Sequence, residues 1–264
     1  MPKLAVFGDE IGPEIDLQIA HMGAARVQAL ELRGAEGRGV LDLDGELRAT
    51  IRAKLADAGI EVFSIGSPLG KVDIAKPVAD ELERTKRAIE QAHFFGAPRI
   101  RVFSFFVPGG RYDEHRDAVM AGLRAMAELA ATAGVLLCHE NEGGIYGQSV
   151  ARCADLLATV DSPALRAVHD TANFVCHHEE PYPAGYEAVK PWLEYLHIKD
   201  YGAGQCRAAG EGEGRMPDLF ARLKADGWDG YLSMEPHIGG GPDNFHRAAR
   251  ALKGCLEAVD WAWS

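Results

Sequence analysis

Cysteine motifs are missing from this sequence. Its five cysteines are widely spaced and form no C-x-x-C pair. An odd number of isolated cysteines argues against a disulfide framework and against a zinc knuckle. The segment LAVFGDEIG leads directly into a predicted strand and its loop, so the N-terminal region does not resemble a signal peptide. We therefore expect a protein that works in the reducing cytoplasm.

Long hydrophobic runs and clusters of basic residues are missing as well. No apolar stretch approaches the ~20 residues that a membrane-spanning helix requires. The formal net charge is −11 at pH 7, whereas nucleic acids and anionic membranes both favour a basic protein surface. With 47% hydrophobic and 25% charged residues, the composition is typical of a globular protein with a large core. We therefore expect a small-molecule substrate, with no nucleic acid and no membrane as partners.

Short apolar runs alternate with stretches of helical periodicity along all 264 residues. In the first predicted helices, apolar residues recur at intervals of four, as at Leu47, Ile51 and Leu55. Strict alternation predicts a parallel sheet covered by helices, and eight units favour a closed barrel over an open, doubly wound sheet. The predicted fold is therefore α/β, a (β/α)8 TIM barrel that residues 1–264 form as a single domain. The eight predicted strands are residues 4–8, 27–32, 60–65, 99–106, 135–138, 165–170, 195–200 and 231–237.

Three acids and one histidine lie near the ends of the last four predicted strands. Glu140, Asp170, His197 and Glu235 follow one another at intervals of 30, 27 and 38 residues. One strand–helix unit of a TIM barrel averages roughly 31 residues, so the intervals predict one polar group on each of four adjacent strands. Side chains at the C-terminal strand ends face the mouth of such a barrel, while alternation turns neighbours such as His139 toward the helices. We therefore predict that the four residues converge.

Three carboxylates and one imidazole in a barrel mouth predict a site for one divalent metal ion. Without a cation, clustered carboxylates repel each other and take up protons. Oxygen-rich ligands without a thiolate suit Mn²⁺ or Mg²⁺ best, with Co²⁺ or Zn²⁺ as alternatives. Each residue alone is more simply interpreted as a solvated strand end or a core histidine. The metal prediction therefore depends on the complete set of four.

The ordered series of short motifs resembles the xylose isomerase-like superfamily of sugar isomerases and epimerases. These motifs are Glu140, HDTAN at residues 169–173, HIKD at 197–200, GEGEG at 210–214 and SMEP at 233–236. The resemblance implies that Glu140, Asp170, His197 and Glu235 bind the metal of a TIM-barrel enzyme. It also implies that Glu140 and Glu235 act as catalytic acid and base groups on opposite faces of the substrate.

The activity implied by this resemblance is metal-dependent isomerisation or epimerisation of a sugar or a sugar-like α-hydroxycarbonyl compound. A proton would move between carbon atoms or faces through an enediolate that the metal stabilises. Members of the superfamily are often dimers or tetramers, so a homo-oligomer is expected. Trp261 and Trp263, near the end of the sequence, are predicted to pack over the barrel bottom or, with a slight preference, to join the interface between subunits.

The residues expected around the substrate differ from those of the ketose 3-epimerase branch of the superfamily. Asn173 stands where that branch usually has a histidine, Tyr146 where it has a second glutamate, and Ala203 where it has an arginine. This pattern disfavours a free-ketohexose 3-epimerase and is closer to the inosose or hydroxypyruvate-isomerase-like branches. The candidate substrate-binding residues are Asn173, Lys199, Tyr146, His237 and Glu31.

Three other functions stay open at this point. A lyase on the same scaffold would dehydrate a keto-cyclitol or a 3-dehydroshikimate-like substrate, with His237 or Tyr146 as the additional acid. A DNA-repair endonuclease of the related barrel type needs more inward histidines and a basic groove, against which the net charge of −11 argues. A non-catalytic sugar-binding barrel would gain little from a four-residue metal site. A small sugar or cyclitol is therefore the expected substrate.

Overall fold

Eight parallel strands close into a barrel in the computed structural model, which describes residues 1–264. Each strand pairs with the next one along the chain, and the last pairs with the first through Leu4 opposite Leu232. The closed parallel barrel confirms the predicted (β/α)8 TIM-barrel fold. The strands are β1 (Lys3–Phe7), β2 (Ala29–Leu32), β3 (Glu61–Leu69), β4 (Arg99–Val102), β5 (Leu136–Glu140), β6 (Leu165–Asp170), β7 (Leu193–Ile198) and β8 (Tyr231–Met234).

Nine α-helices occupy the connections around this barrel. The alternation of eight units predicts eight helices, and the short helix after β6 is additional to them. None of the nine combines the length and the hydropathy that a membrane crossing requires. The helices are α1 (Ile15–Ala25), α2 (Gly45–Asp57), α3 (Val78–Phe95), α4 (Tyr112–Ala133), α5 (Val150–Val160), α6 (Thr171–Cys176), α7 (Tyr186–Val189), α8 (Met216–Ala225) and α9 (Pro242–Ala258).

Several strands differ in length from the prediction, and the third and fourth bear on the shape of the mouth. The third extends to Leu69 instead of ending at residue 65, and the fourth ends at Val102 instead of residue 106. Their pairing shifts register, because Ile65 lies opposite Ile100 whereas Leu69 lies opposite Val102. A bulge in β3 takes up the extra residues of this longer strand. Beyond β4, Phe105 adopts a left-handed backbone conformation (φ 65°), which turns the chain out of the sheet.

Alternation along the strands divides the buried side chains between two layers. One cluster fills the interior of the barrel, and a much larger cluster lies between the sheet and the helices. Cys138 and Tyr195 belong to the interior cluster, so Glu140 and His197, two residues further along the same strands, project into the barrel mouth. His139 faces outward, where its Nε2 lies 2.9 Å from Ser104 Oγ. The predicted division between inward and outward side chains is confirmed.

The C-terminal residues pack beside the first strand. The backbone N–H of Leu4 donates to Ser264 O, and the N–H of Ser264 donates to Pro2 O. Trp261 is 6% exposed, and its ring lies 6.3 Å from the rings of Phe220 and Trp228. Because Trp261 is buried within its own chain, the structure contradicts the preference for placing this residue at a subunit interface.

Gly70 holds the loop after β3 close to the loop after β4. Its φ is +80°, and a Cβ at this position would overlap the backbone carbonyl of Phe103. Gly37 has a similar φ of +70°, but a Cβ there would meet no other atom. We expect Gly70→Ala to lower the free energy of unfolding by about 3 kcal/mol or more, and Gly37→Ala by only about 1 kcal/mol. Urea denaturation of the two variants measures this difference, and equal losses would contradict the assigned role of Gly70.

Candidate metal centre

The four side chains predicted to bind a metal meet at the C-terminal end of the barrel. Glu140, Asp170, His197 and Glu235 each offer one ligand atom, and these atoms all lie within 4.8 Å of one another. Each side chain is at most 3% exposed. Glu140 and Asp170 end β5 and β6, His197 lies in β7, and Glu235 follows β8 directly. The barrel therefore brings together a cluster that could hold a metal ion.

Distances within the cluster approach those of a single coordination sphere. His197 Nδ1 lies 3.1 Å from Glu140 Oε1, 3.6 Å from Glu235 Oε2 and 3.9 Å from Asp170 Oδ2. Ligand atoms that bind one ion at about 2.1 Å, with angles of about 90° to 109°, lie roughly 3.0 to 3.4 Å apart. The distances from His197 exceed this range by up to about 0.5 Å, and the ligand atoms span up to 4.8 Å, so the side chains would have to move closer together to hold one divalent ion.

Unpaired polar atoms concentrate in the same place. Glu140 Oε2, Asp170 Oδ2 and His197 Nδ1 are buried and make no hydrogen bond of normal geometry, although a charged neighbour lies 3.0 to 3.4 Å from each of them. Buried polar atoms in folded proteins are nearly always hydrogen-bonded, and exceptions require an explanation such as an ion. Three exceptions within one group of side chains therefore favour a metal ligand set over a set of ordinary strand-end acids.

Each ligand side chain except Glu140 is fixed through the atom that points away from the cluster centre. Asp170 Oδ1 accepts the backbone N–H of Asn173 at 2.8 Å and so caps α6. Glu235 Oε1 accepts a hydrogen bond from Arg33 Nη1 at 2.7 Å, and His197 Nε2 lies 3.2 Å from Glu31 Oε2. The remaining atoms, Asp170 Oδ2, Glu235 Oε2 and His197 Nδ1, are left facing one another. Such outer contacts orient metal ligands and raise metal affinity.

Glu31 lies beneath the cluster, not beside the substrate. Its carboxylate accepts hydrogen bonds from Tyr195 Oη at 2.7 Å and Ser233 Oγ at 2.8 Å, and it contacts His197. The side chain is fully buried, at 0% exposure. Its partners Tyr195 and Ser233 each lie two residues before a clustered residue, His197 and Glu235, so Glu31 reaches the layer beneath the cluster. The interpretation of Glu31 as a substrate contact is therefore corrected: it orients His197.

Tyr146 points away from the barrel mouth. Its hydroxyl donates to Asp155 Oδ2 at 2.6 Å, on helix α5, and its side chain is 2% exposed. Burial and the neighbouring carboxylate of Asp155 raise the pKa of Tyr146 to about 12. A short turn at Tyr146–Gln148 directs the ring into the helix layer. The structure thus does not bring Tyr146 together with the other candidate substrate residues.

Three other candidate substrate residues do adjoin the cluster. Asn173 Nδ2 donates to Glu140 Oε1 at 3.1 Å. His237 Nε2 lies 3.4 Å from Glu235 Oε1, and the half-exposed ring is open to the cleft. Lys199 Nζ donates to Glu235 Oε2 at 2.9 Å. Of the three, His237 lines the cleft above the cluster, and all three stay predicted substrate contacts.

Two arginines contact the clustered glutamates, and their place at the site was not predicted from the sequence. Arg101 Nη1 lies 3.4 Å from Glu140 Oε2 and 3.5 Å from Glu235 Oε1, and its side chain is almost fully buried. Arg33 binds Asp9 through Nε at 2.7 Å in addition to Glu235. A signal was present, because an arginine within a buried barrel strand is rare without a carboxylate partner.

The glycines of the GEGEG motif serve a structural role. Asp200 accepts the backbone N–H groups of Gly210, Gly212 and Gly214 at 3.1, 3.0 and 2.8 Å. This carboxylate therefore fixes the loop after β7 beside the mouth. Lys199, the residue before Asp200, turns into the cluster and does not pair with the acids of this motif.

The buried carboxylates attract positive charge. Burial raises the pKa of Asp170 to about 7, although Lys199 opposes the shift. Burial alone would also raise the pKa of Glu140, but His197 and Arg101 outweigh it and lower this pKa to about 2. Burial lowers the pKa of His197, yet Glu140 and Glu31 together raise it to about 10. A divalent cation would satisfy the carboxylates and leave His197 neutral, as metal ligation requires.

A polar cleft of about 310 Å³ opens above the centre. Only two of its 13 lining residues are hydrophobic, so it suits a small hydroxyl-rich molecule. A larger cavity of about 480 Å³ lies beside α3 and α4 and contains none of the clustered groups. The charged residues that line the polar cleft are Arg33, Asp42, Lys71, Arg101, Glu140, Glu142 and Glu235, with His237 beside them.

Metal titration tests the ligand set. We expect the metal-free protein to bind about one Mn²⁺ per chain and Asp170→Asn to weaken binding at least about tenfold, because one anionic ligand is lost. Isothermal titration calorimetry measures both values. Asp57→Asn, at an exposed position on α2, is the matched control. Equal affinity of the Asp170 variant and the control would exclude this site.

A second substitution tests the role of Glu31. We expect Glu31→Gln to weaken Mn²⁺ binding by about 10–100-fold, because a neutral amide no longer holds the His197 ring and its tautomer. Exposed Glu46 on α2 supplies the control variant Glu46→Gln. Calorimetric titration should be paired with circular dichroism, and unchanged affinity in a folded Glu31 variant would contradict the orienting role.

The sequence is similar to a protein family and to a relative of known activity. A family model described as xylose isomerase-like TIM barrel matches residues 18–256. The chain is also 29% identical over 225 residues to the 2-epi-5-epi-valiolone 7-phosphate 2-epimerase of Actinoplanes sp.. That match covers 78% of this chain and 79% of the relative.

Solved structures agree on the fold. The probable 3-DHS dehydratase of petrobactin synthesis from Bacillus anthracis matches with a TM-score of 0.81 at 15% identity, over 96% of this chain and 99% of that chain. A xylose isomerase-like TIM barrel protein from Mycobacterium smegmatis, in complex with magnesium, matches with a TM-score of 0.74 at 18% identity, over 98% and 96%. These likenesses show the fold, and the family model, which spans most of the sequence, establishes that the chain belongs to the xylose isomerase-like TIM barrel family.

Proposed function

We propose that this protein is a divalent-metal-dependent isomerase or epimerase of a sugar or sugar-like α-hydroxycarbonyl compound. One observation carries the proposal: of the four clustered residues, only Glu140 and Glu235 line the polar cleft. Asp170 and His197 are fully buried below it. Two glutamates thus reach both the metal position and the substrate, whereas the other two residues serve the metal alone.

The two glutamates are placed for proton transfer at carbon. One removes the proton from the carbon next to the substrate carbonyl, and the other returns a proton. Return to the opposite face of the same carbon gives an epimer, and return to the neighbouring carbon gives an isomer. Positioned proton transfer of this kind contributes typically about 10²–10⁴-fold to the rate. A bound Mn²⁺ or Mg²⁺ supplies Lewis-acid stabilisation of the negative charge that develops on the substrate oxygens.

Neighbouring side chains support these roles. Arg33 holds Glu235 at 2.7 Å, and Arg101 lies within 3.5 Å of both glutamates, so the two carboxylates keep fixed orientations across the cleft. Asn173 adds a hydrogen bond to Glu140. Orientation of reacting groups lowers the entropic part of the barrier, and the fixed cationic groups stabilise developing negative charge without reorganisation.

The curated relative guides the choice of substrates. Its name specifies epimerisation of 2-epi-5-epi-valiolone 7-phosphate, which is consistent with the size and polarity of the cleft. We therefore place this compound first among the substrates to test, followed by inosose, hydroxypyruvate and the ketohexoses. A small sugar or cyclitol remains the proposed substrate class.

A lyase is the second candidate. Dehydration begins with the same removal of a proton and then requires an acid near the departing hydroxyl group. His237 lies 3.4 Å from Glu235 and lines the same cleft, so it is suitably placed. Tyr146 is no longer a candidate for this acid, because its hydroxyl binds Asp155. Product mass distinguishes the two reactions, since a lyase product is lighter by one water.

Solvent-proton exchange tests the isomerase proposal. With Mn²⁺ in D₂O, we expect the wild-type protein to introduce deuterium next to the carbonyl of its substrate. Glu140→Gln and Glu235→Gln should each lower this rate by about 10²–10⁴-fold, because a neutral amide cannot accept the proton. Proton NMR of the substrate panel measures the exchange, with Glu46→Gln as the control. Wild-type exchange rates in both glutamine variants would refute the proposal.

A further inference from the structure

Lys199 lies at the hub of the carboxylate cluster. Its Nζ is 2.9 Å from Glu235 Oε2, 3.0 Å from Asp170 Oδ2 and 3.8 Å from Glu140 Oε1. The residue is only 3% exposed. It follows His197 by two positions and therefore projects from the same face of the chain into the barrel mouth. A single buried ammonium group thus contacts all three carboxylates.

These oxygen atoms are also the ones nearest to the unpaired nitrogen of His197. Glu140 Oε1, Glu235 Oε2 and Asp170 Oδ2 lie 3.1, 3.6 and 3.9 Å from His197 Nδ1. The ammonium group of Lys199 and a bound divalent ion would therefore draw on the same three oxygens. Two cations that share the same ligands repel each other, most strongly in a buried site of low dielectric.

The two arginines do not compete in this way. Arg33 binds Oε1 of Glu235, the oxygen that faces away from His197. Arg101 lies near the same oxygen and near Oε2 of Glu140. The arginines therefore fix the carboxylates from outside, whereas Lys199 joins His197 on the inner side. A lysine suits an inner position from which the charge must be able to move away, because its ammonium is a compact charge on a flexible side chain.

Resting on the metal-dependent function proposed above, we propose that Lys199 is an internal counter-ion that sets the metal affinity of this centre. Before a metal binds, its charge neutralises part of the repulsion among Glu140, Asp170 and Glu235, which stabilises the metal-free fold. When a metal binds, the ammonium group must withdraw from the shared oxygens or remain beside a divalent cation. Either outcome weakens binding relative to the same ligands without the lysine, so the metal stays exchangeable.

Replacement of Lys199 tests this inference without measuring catalysis. We expect Lys199→Met to tighten Mn²⁺ binding by about tenfold or more, because a competing charge is removed. The same change should lower the melting temperature of the metal-free protein more than that of the Mn²⁺-loaded protein. Isothermal titration calorimetry and scanning calorimetry measure the two effects. Lys76→Met, at an exposed lysine outside the cluster, is the matched control.

Every other result for the Lys199 variants also either supports or contradicts the counter-ion role. Unchanged or weaker Mn²⁺ binding by Lys199→Met would overturn the inference, as would equal losses of melting temperature with and without metal. Lys199→Gln keeps a hydrogen-bond donor but no charge, and it must reproduce the tighter binding. Variants that fold only with Mn²⁺ support the counter-ion role, because the metal replaces the missing charge. Variants that fail to fold even with Mn²⁺ contradict it.

Failure of the proposed function would be recognised separately. If the wild-type protein binds no Mn²⁺, the metal dependence of that function is contradicted. In that case, Mn²⁺ binding gained by Lys199→Met would still support the counter-ion role, and its absence would overturn it as well. If the wild-type protein binds Mn²⁺ and the variant binds it no more tightly, only the counter-ion inference fails.

Discussion

Three carboxylates buried at one end of the barrel require compensating positive charge, and the surrounding structure depends on this constraint. Isolated buried charges are costly, so they are retained only where they are paired or bound to an ion. Arg33 and Arg101 meet Glu140 and Glu235 from the outside, while Lys199 contacts all three acids from within. The contacts between strands that are distant in sequence thus serve electrostatics as well as packing.

Barrel closure is what makes this arrangement available. Because β8 pairs with β1, Arg33 and its partner Asp9, both in the first two strand–loop units, lie beside Glu235 from the last. The side chains one level lower, Glu31 among them, form a polar floor that holds His197. A ligand set from the second half of the chain is therefore oriented by residues from the first half. This division links the fold directly to a candidate metal site that opens onto a small polar cleft.

Much of the fold and of the candidate site was predictable from the sequence, and each wrong prediction has a physical cause. Strand spacing and alternation were sufficient to predict the barrel, the four clustered residues and the outward direction of His139, because both follow from local geometry. The role of Glu31 depends on contacts with Tyr195, His197 and Ser233, far away along the chain, which no local pattern encodes. Tyr146 was predicted to contact the substrate, but a short turn after β5 rotates its side chain into the helix layer. Arg33 and Arg101 gain their roles only from partners far away along the chain.

Anomalous diffraction from crystals grown with Mn²⁺ is the most direct test of whether the four clustered residues bind one metal ion. We expect one manganese peak at the C-terminal mouth of the barrel, at about 2.0–2.3 Å from one atom each of Glu140, Asp170, His197 and Glu235. The imidazole should bind through Nδ1 and keep Nε2 on Glu31. Density for manganese elsewhere, or no peak at the cluster with Lys199 still bound to the carboxylates at saturating Mn²⁺, would contradict it.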